Sequence, residues 1–310
     1  MIVIAGPTAS GKSALALDIA LEFDGVIINA DSMQVYAELS LLTARPSSQD
    51  EARAPHRLYG VLSASERCSA GRWQKMAVAE IEAAWARGKV PIVVGGTGLY
   101  LRALTDGISD MPDVPSEARA EATALLADLG GEAFLAALAG VDPLAAARIP
   151  ATDPQRLIRA YEVWLATGRA LSDWQKAQAP APPLAAHFAI LTIEPPREAV
   201  KASIDARFDQ MMDGGALDEV SGLLALGLDP ALPAMKAVGV PELARHLGGE
   251  IALDEATELA KQATRQYAKR QMTWLRNQIS GTYTLSEQYS ERFKEKIFPF
   301  IRTFLLTPRS

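Results

Sequence analysis

Near its N-terminus the chain reads Gly6-Pro7-Thr8-Ala9-Ser10-Gly11-Lys12-Ser13, the GxxxxGK[ST] spacing of a phosphate-binding loop. Glycines at these positions let successive backbone N–H groups curl around phosphate oxygens, and the helix start behind them adds a partial positive charge. Lys12 is placed to contact terminal phosphates, and Ser13 to ligate Mg²⁺. Enzymes that turn over ATP or GTP on such a loop normally hold their metal with a second acid at the end of an apolar strand. Here the candidate strand Pro91–Val94 runs instead into Gly95-Gly96-Thr97-Gly98, and no Asn-Lys-x-Asp base-reading motif occurs. The obvious strand-end acid is Asp31, within Asn29-Ala30-Asp31-Ser32-Met33-Gln34-Val35-Tyr36. One carboxylate and one hydroxyl beside a bound diphosphate suit a base that deprotonates a nucleophile. The plainer readings are a helix N-cap for Asp31 and turn chemistry for Thr97.

Two further stretches mix the side chains that contact phosphates and bases. From Thr264 to Arg276 basic and aromatic residues alternate, and no acid occurs between Glu258 and Glu287. Lys261, Arg265 and Lys269 recur every fourth residue and form one stripe on a helix, either for phosphate contact or as a solvated face. Asp153-Pro154 opens a second helix as N-cap and N1. Gln155 and Arg159 then share a face, with Arg156 beside them, as a bidentate reading set or as a solvated helix start.

These residues need a scaffold. Met1–Ala5 (MIVIA) is apolar throughout, as a strand covered on both faces should be, and Ser13–Phe23 has helical composition. Val26–Asn29, Pro91–Val94 and His187–Ile193 are further strands, and Trp73–Arg87 is a helix closed by Gly88. Strands alternating with helices predict an α/β fold: a P-loop parallel-sheet core with helices on both faces. In such a sheet the C-terminal strand ends line the ligand crevice, so Asp31 and Thr97 should face the phosphate loop. Residues 112–184 are rich in Ala, Leu, Glu and Arg, lack a convincing strand, and are flanked by the proline-bearing segments 111–115 and 179–183. They are expected to form a mainly helical insertion domain between core segments 1–111 and 185–310. Helices are expected over Arg197–Met212, Ala216–Leu226 and Leu253–Ile279.

The bulk numbers fit an enzyme of this class. The 310 residues are 49% hydrophobic and 22% charged, which sustains a core, and the net charge of −6 argues against indiscriminate nucleic-acid binding. No apolar run of membrane-spanning length and no basic leader stands out, so no membrane role is expected. The lone cysteine, Cys68, fits a reducing cytoplasm, and the three histidines show no metal-ligand spacing.

Taken together, the chain resembles the tRNA dimethylallyltransferases, also called tRNA isopentenyltransferases. The resemblance runs through GPTASGKS, DSMQVY, TARP at 43–46, CSAGRW at 68–73, PIVVGGTGLYLRAL at 91–104, DPQRLIRAYEVWLATGR at 153–169, RFDQMMDGGALDEV at 207–220, AMKAVGVPEL at 234–243 and TRQYAKRQMTWLR at 264–276. It implies transfer of a dimethylallyl group from dimethylallyl diphosphate, with Mg²⁺, to the exocyclic amine of the adenine 3′ of the anticodon in tRNAs reading U-starting codons. It implies that Thr8–Ser13 bind the diphosphate, that Asp31 is the general base, and that Asp31, Ser32, Met33 and Gln34 face the target nucleotide. Thr97 would lie near the reacting amine. Gln155, Arg156, Leu157, Ile158 and Arg159 would contact the tRNA anticodon stem-loop, with Arg119 as a further contact. The chain departs from the family over Ala37–Pro46, where a basic residue, a glycine and an Asp-Ile-Gly-Thr-Ala run are usual. It departs again at Arg57, where a second histidine is usual. A monomer is expected. The competing readings are a nucleoside or small-molecule kinase binding ATP on the same loop, and a non-catalytic nucleic-acid-binding module.

Overall fold

The structure, a computed structural model, describes residues 1–109, 111, 113–177 and 181–307. The flanking prolines Pro112 and Pro180, with Ala179, lie outside the described residues. In chain order the elements are β1 (Ile2–Ala5), α1 (Lys12–Glu22), β2 (Gly25–Asn29), α2 (Ser48–Arg53), β3 (His56–Arg57), α3 (Ala70–Ala86), β4 (Val90–Gly95) and α4 (Gly98–Thr105). Next come α5 (Ser116–Val141), α6 (Pro143–Ala146), α7 (Pro154–Thr167) and α8 (Leu171–Ala177). The chain then continues through β5 (Ala189–Ile193), α9 (Arg197–Asp213), α10 (Ala216–Ala225), α11 (Val240–Leu247), α12 (Leu253–Gln278), β6 (Tyr283–Leu285) and α13 (Lys294–Leu306). Two compact units result: Met1–Thr105 with Pro183–Ser310, and Asp106–Pro182.

In the first unit six strands form one sheet in the order β3-β2-β4-β1-β5-β6, with parallel pairings throughout. Register places Ile2 beside both Ile92 and Ala189, so β1 is central and all its residues are buried. Side chains alternate across it, as the strand period requires. Ile2 and Ile4 enter the layer with Leu15 and Ile19 of α1 and Ile297 and Ile301 of α13. Val3 and Ala5 enter the opposite layer with Trp73, Ile81, Leu101, Leu243 and Leu275. Helices thus cover both faces. Trp73 ties this layer to the site: its Nε1 donates to the Asn29 carbonyl at 2.8 Å, and its ring stacks on Tyr100 at 4.5 Å.

The second unit is helical among its described residues. Phe134 and Leu138 of α5 pack with Ala145, Leu157 and Ala160. Asp153 caps α7 by accepting from the Arg156 N–H at 3.2 Å, with Pro154 at the first helical position. The expectation that no segment reaches membrane-spanning length needs correction. By length and composition α5 is long and apolar enough to cross a bilayer. Its alanines and leucines outweigh a few charged residues, which cluster toward its N-terminal half. The helix is broken at Gly130, whose φ of 74° and ψ of 167° interrupt it, and its C-terminal half packs Phe134 and Leu138 onto α7.

Candidate active site

The first unit's candidate site residues sit where parallel strands end. The phosphate loop follows β1, Asp31 follows β2 and Thr97 follows β4. Ala9 (φ 59°) and Gly11 (φ 88°) both take left-handed backbone conformations, which curl the loop's N–H groups into an anion-binding nest. A side chain at Gly11 would also press on Tyr289, 3.0 Å from the Cβ position. No side chain caps the start of α1, leaving its first N–H groups open to an anion. Lys12 Nζ donates to the Pro7 carbonyl at 3.1 Å, and Ser13 is exposed in the first helical turn. Gly6, Pro7 and Ser10 are buried, so Ser10 offers a ligand its backbone and not its hydroxyl.

Asp31 does not cap a helix. Its Oδ1 accepts from the Met33 N–H at 2.9 Å, an Asx turn, and residues 32–35 are turns. Asn29, fully buried, fixes this turn: its Oδ1 accepts from the Asp31 N–H at 2.8 Å, and its Nδ2 donates to the Asp31 and Leu58 carbonyls. Thr97 is joined to the same turn, since its Oγ1 accepts from the Ser32 N–H at 2.9 Å. Gln34 points away to the Thr43 and Ala44 carbonyls, at 2.8 and 3.0 Å, and so holds the departing loop.

Asp31, Ser32 and Met33 share a cavity of about 290 Å³ with Thr8 and Ala9 of the phosphate loop, and Arg207, Tyr267 and Arg270 join them there. The charges interact. Burial lowers the Lys12 ammonium to about 8, opposed by the Asp31 carboxylate and reinforced by Arg207. Burial likewise lowers Arg207, opposed by Asp31. Burial raises the Tyr267 phenol, with Asp31 adding to the effect, so its hydroxyl stays protonated beside Thr97 and Gln271. Sequence reasoning had not placed Arg207 or Tyr267 here, although both lie in segments that carry the family resemblance.

The divergent stretch after Tyr36 has its own support. Glu219 accepts from the Ser40, Leu41 and Leu42 N–H groups at 2.7, 2.8 and 3.0 Å and from the Ser40 hydroxyl at 2.8 Å. It thereby sets Leu42 and Thr43 into the cavity wall.

The basic stripe on α12 divides. Lys261 pairs with Asp209 at 2.7 Å and Arg265 with Asp205 at 2.6 Å, so both serve to hold α12 against α9. Phosphate contact by these two is therefore corrected to a helix-packing role; Lys269 stays exposed.

In the second unit, Gln155 and Arg156 are exposed and Ile158 is half-buried. Leu157 is fully buried in that unit's core, so its side chain cannot reach an RNA, which corrects its assignment as a contact. Arg159 and Arg119 both turn to Glu162, at 2.8 and 3.4 Å, and Glu162 is only 2% exposed.

A nest at the end of a central parallel strand, opposed by strand-end acid and hydroxyl, defines a P-loop enzyme of the kinase-like α/β class. Within that class, the IPP transferase family model matches residues 34–278, and the chain belongs to that family. The tRNA dimethylallyltransferase of Rhodospirillum centenum is 58% identical over 281 residues, covering 91% of this chain and 90% of its own. That of Rhodospirillum rubrum is 54% identical over 314 residues, covering 100% and 96%. Among solved structures, the full-length tRNA isopentenylpyrophosphate transferase of Bacillus halodurans superposes with a TM-score of 0.71 at 31% identity, covering 98% of this chain and 96% of that one. A eukaryotic dimethylallyltransferase acting on tRNA gives a TM-score of 0.81 at 27% identity, covering 98% and 79%.

Proposed function

We propose that this chain transfers a dimethylallyl group from dimethylallyl diphosphate to the exocyclic amine of the adenine 3′ of the anticodon, in tRNAs that read U-starting codons. The observation that carries the reading is the shared cavity: Thr8 and Ala9 of the phosphate loop and Asp31 line one volume. An adenine amine is a weak nucleophile because its lone pair is delocalised into the ring, whereas an allylic carbon ionises readily. The reaction therefore needs stabilisation of the departing diphosphate and a place for one proton. As the new C–N bond forms, the C–O bond to diphosphate breaks. Lys12, Arg207 and the loop N–H groups meet the charge that develops on the leaving oxygens. Asp31, with one carboxylate oxygen held in the Asx turn, accepts the proton lost by nitrogen. The target base must leave its stack to reach this cavity.

Mg²⁺ fits the residues present. No group of three His, Cys, Asp or Glu gathers among the described residues, which suits an ion that would draw most of its ligands from phosphate and water, as Mg²⁺ does. Ser13 Oγ would hold it, and the ion would offset charge on the diphosphate. The second unit supplies tRNA contacts through Gln155, Arg156, Ile158, Arg159 and Arg119. The protein acts as a monomer in the cytoplasm.

The test is single-turnover transfer by Asp31→Asn at low and high Mg²⁺, with the modified nucleoside read by mass spectrometry. Asn keeps the turn but takes no proton, so the rate should fall roughly 10²–10⁴-fold at either metal concentration while tRNA still binds. A near-normal rate at low Mg²⁺ sinks the assignment of the base. Recovery at high Mg²⁺ makes Asp31 a metal holder.

A further inference from the structure

We propose that Gln271 is a positioning residue for this transfer: it clamps the phosphate loop to the turn bearing Thr97 and so sets the distance between leaving group and acceptor amine. The inference rests on the transfer reading above.

Gln271 lies in the C-terminal third of α12, far in sequence from both loops, and is 5% exposed. Its Oε1 accepts from the Thr8 N–H at 2.9 Å, and its Nε2 donates to the Gly96 carbonyl at 3.0 Å. One amide therefore uses both of its ends, one on each catalytic loop. These loops leave neighbouring strands, β1 and β4, and beyond the strand ends no ladder ties them together. The fit is tight: a Cβ at Gly96 would overlap the Gln271 amide nitrogen, so the missing side chain at 96 makes room for the clamp. Tyr267, one turn earlier on the same helix face, brings its hydroxyl to Thr97 and to Gln271 itself. The same helix thus touches the electrophile-binding loop and the acceptor-facing hydroxyl at adjacent turns.

The chemistry of the clamp is specific. Only a primary amide of this length offers one acceptor and one donor across that gap. Glutamate would keep the bond to Thr8 but set an anion against the Gly96 carbonyl. Methionine would match the shape and leave both backbone groups without a partner. The cost of a misplaced reactant falls on the reaction step as well as on binding.

The experiment uses the full-length protein, tRNA and dimethylallyl diphosphate, with rates normalised to titrated active sites. For Gln271→Met, the KM for dimethylallyl diphosphate should rise and the single-turnover rate should fall, each by about 10- to 100-fold, while tRNA affinity holds. Gly96→Ala leaves the sequence of α12 intact but puts a Cβ onto the Gln271 amide and 3.0 Å from the Gly6 carbonyl, and it should reproduce this pattern. The double variant Gly96→Ala/Gln271→Ala should then be no worse than Gln271→Ala alone, because both changes act through one contact. Wild-type KM and rate in Gln271→Met overturn the proposal. So does a lowered melting temperature with an unchanged rate per active site, which marks Gln271 as a packing residue, or additive losses in the double variant. Should the wild type fail to transfer at all, the transfer reading falls, and the clamp is judged by inorganic diphosphate binding: equal affinity for wild type and Gln271→Met overturns it, and weaker affinity in the variant supports it.

Discussion

The two units hold their candidate ligand groups by opposite means. At the strand ends of the first unit, left-handed residues curl the phosphate loop, and an Asx turn with a buried asparagine holds Asp31 in place. In the second, the candidate groups are side chains displayed on α7 and, at Arg119, on α5, and the buried Glu162 gathers Arg119 and Arg159. The difference matches two tasks. Stabilising charge at a reacting atom requires groups that need not reorganise. Gripping a phosphate backbone tolerates mobile cations, because that attraction comes largely from released counterions.

The largest test of this contrast is Lys12→Ala. It removes a charge from the pre-set site, so transfer should drop about 10²–10³-fold, while the melting temperature at pH 7 does not fall, since the buried ammonium itself disfavours the fold there. Single-turnover assay with a thermal melt checks both halves. Equal rates would remove the phosphate loop from the chemistry.

A smaller effect is expected on the displayed side. Arg156→Ala with Arg159→Ala should leave the rate at saturating tRNA intact and flatten the log–log dependence of tRNA affinity on salt by about 0.7–0.9 per lost contact. The matched control is Lys261→Met with Arg265→Met. Because those cations are paired to Asp209 and Asp205, their loss should lower stability and leave the salt slope alone. A flattened slope in the control would return the α12 stripe to RNA binding.

The subtlest effect is a proton. Lys12 has a pKa of about 8 in the folded protein against an ordinary 10.5. Its folded value lies below its unfolded one, so keeping it charged disfavours the fold below pH 8. That penalty disappears as pH rises from 8 to 10.5, where the unfolded chain binds the extra proton. A bound diphosphate favours the ammonium, so binding above pH 8 should take up a proton and weaken as pH rises. Calorimetry of inorganic diphosphate in two buffers of different ionisation enthalpy reads this directly, and Lys12→Met should abolish the uptake.

Much of the core was legible because parallel strands announce themselves as apolar runs, and strand ends are where loops do chemistry. That rule points to Asp31 and Thr97, and the structure places them just after β2 and β4. His56–Arg57 and Tyr283–Leu285 were not read as strands, since two or three residues at a sheet margin carry no period. Arg207, Tyr267 and Gln271 come from helices, where spacing tells which residues share a face but not what that face meets. The same gap explains Lys261 and Arg265. Their spacing of four is mirrored by Asp205 and Asp209 on α9, and only the packing of the two helices reveals the match.

The run Gly95–Gly98 is shaped by what comes much later. Cβ atoms there would strike the Ala30 backbone at Gly95, Gln271 at Gly96 and Trp274 at Gly98. During synthesis, β1, β2 and β4 have left the ribosome long before α12 exists. A nascent chain therefore carries both loops without their bonds to Gln271, with the Thr8 N–H and Gly96 carbonyl still in water. The long sequence separation of these contacts delays them in folding as well. On the clamp proposal, competence comes at the end of manufacture, and a chain that stops before Leu253 should carry the whole phosphate-loop motif and transfer nothing.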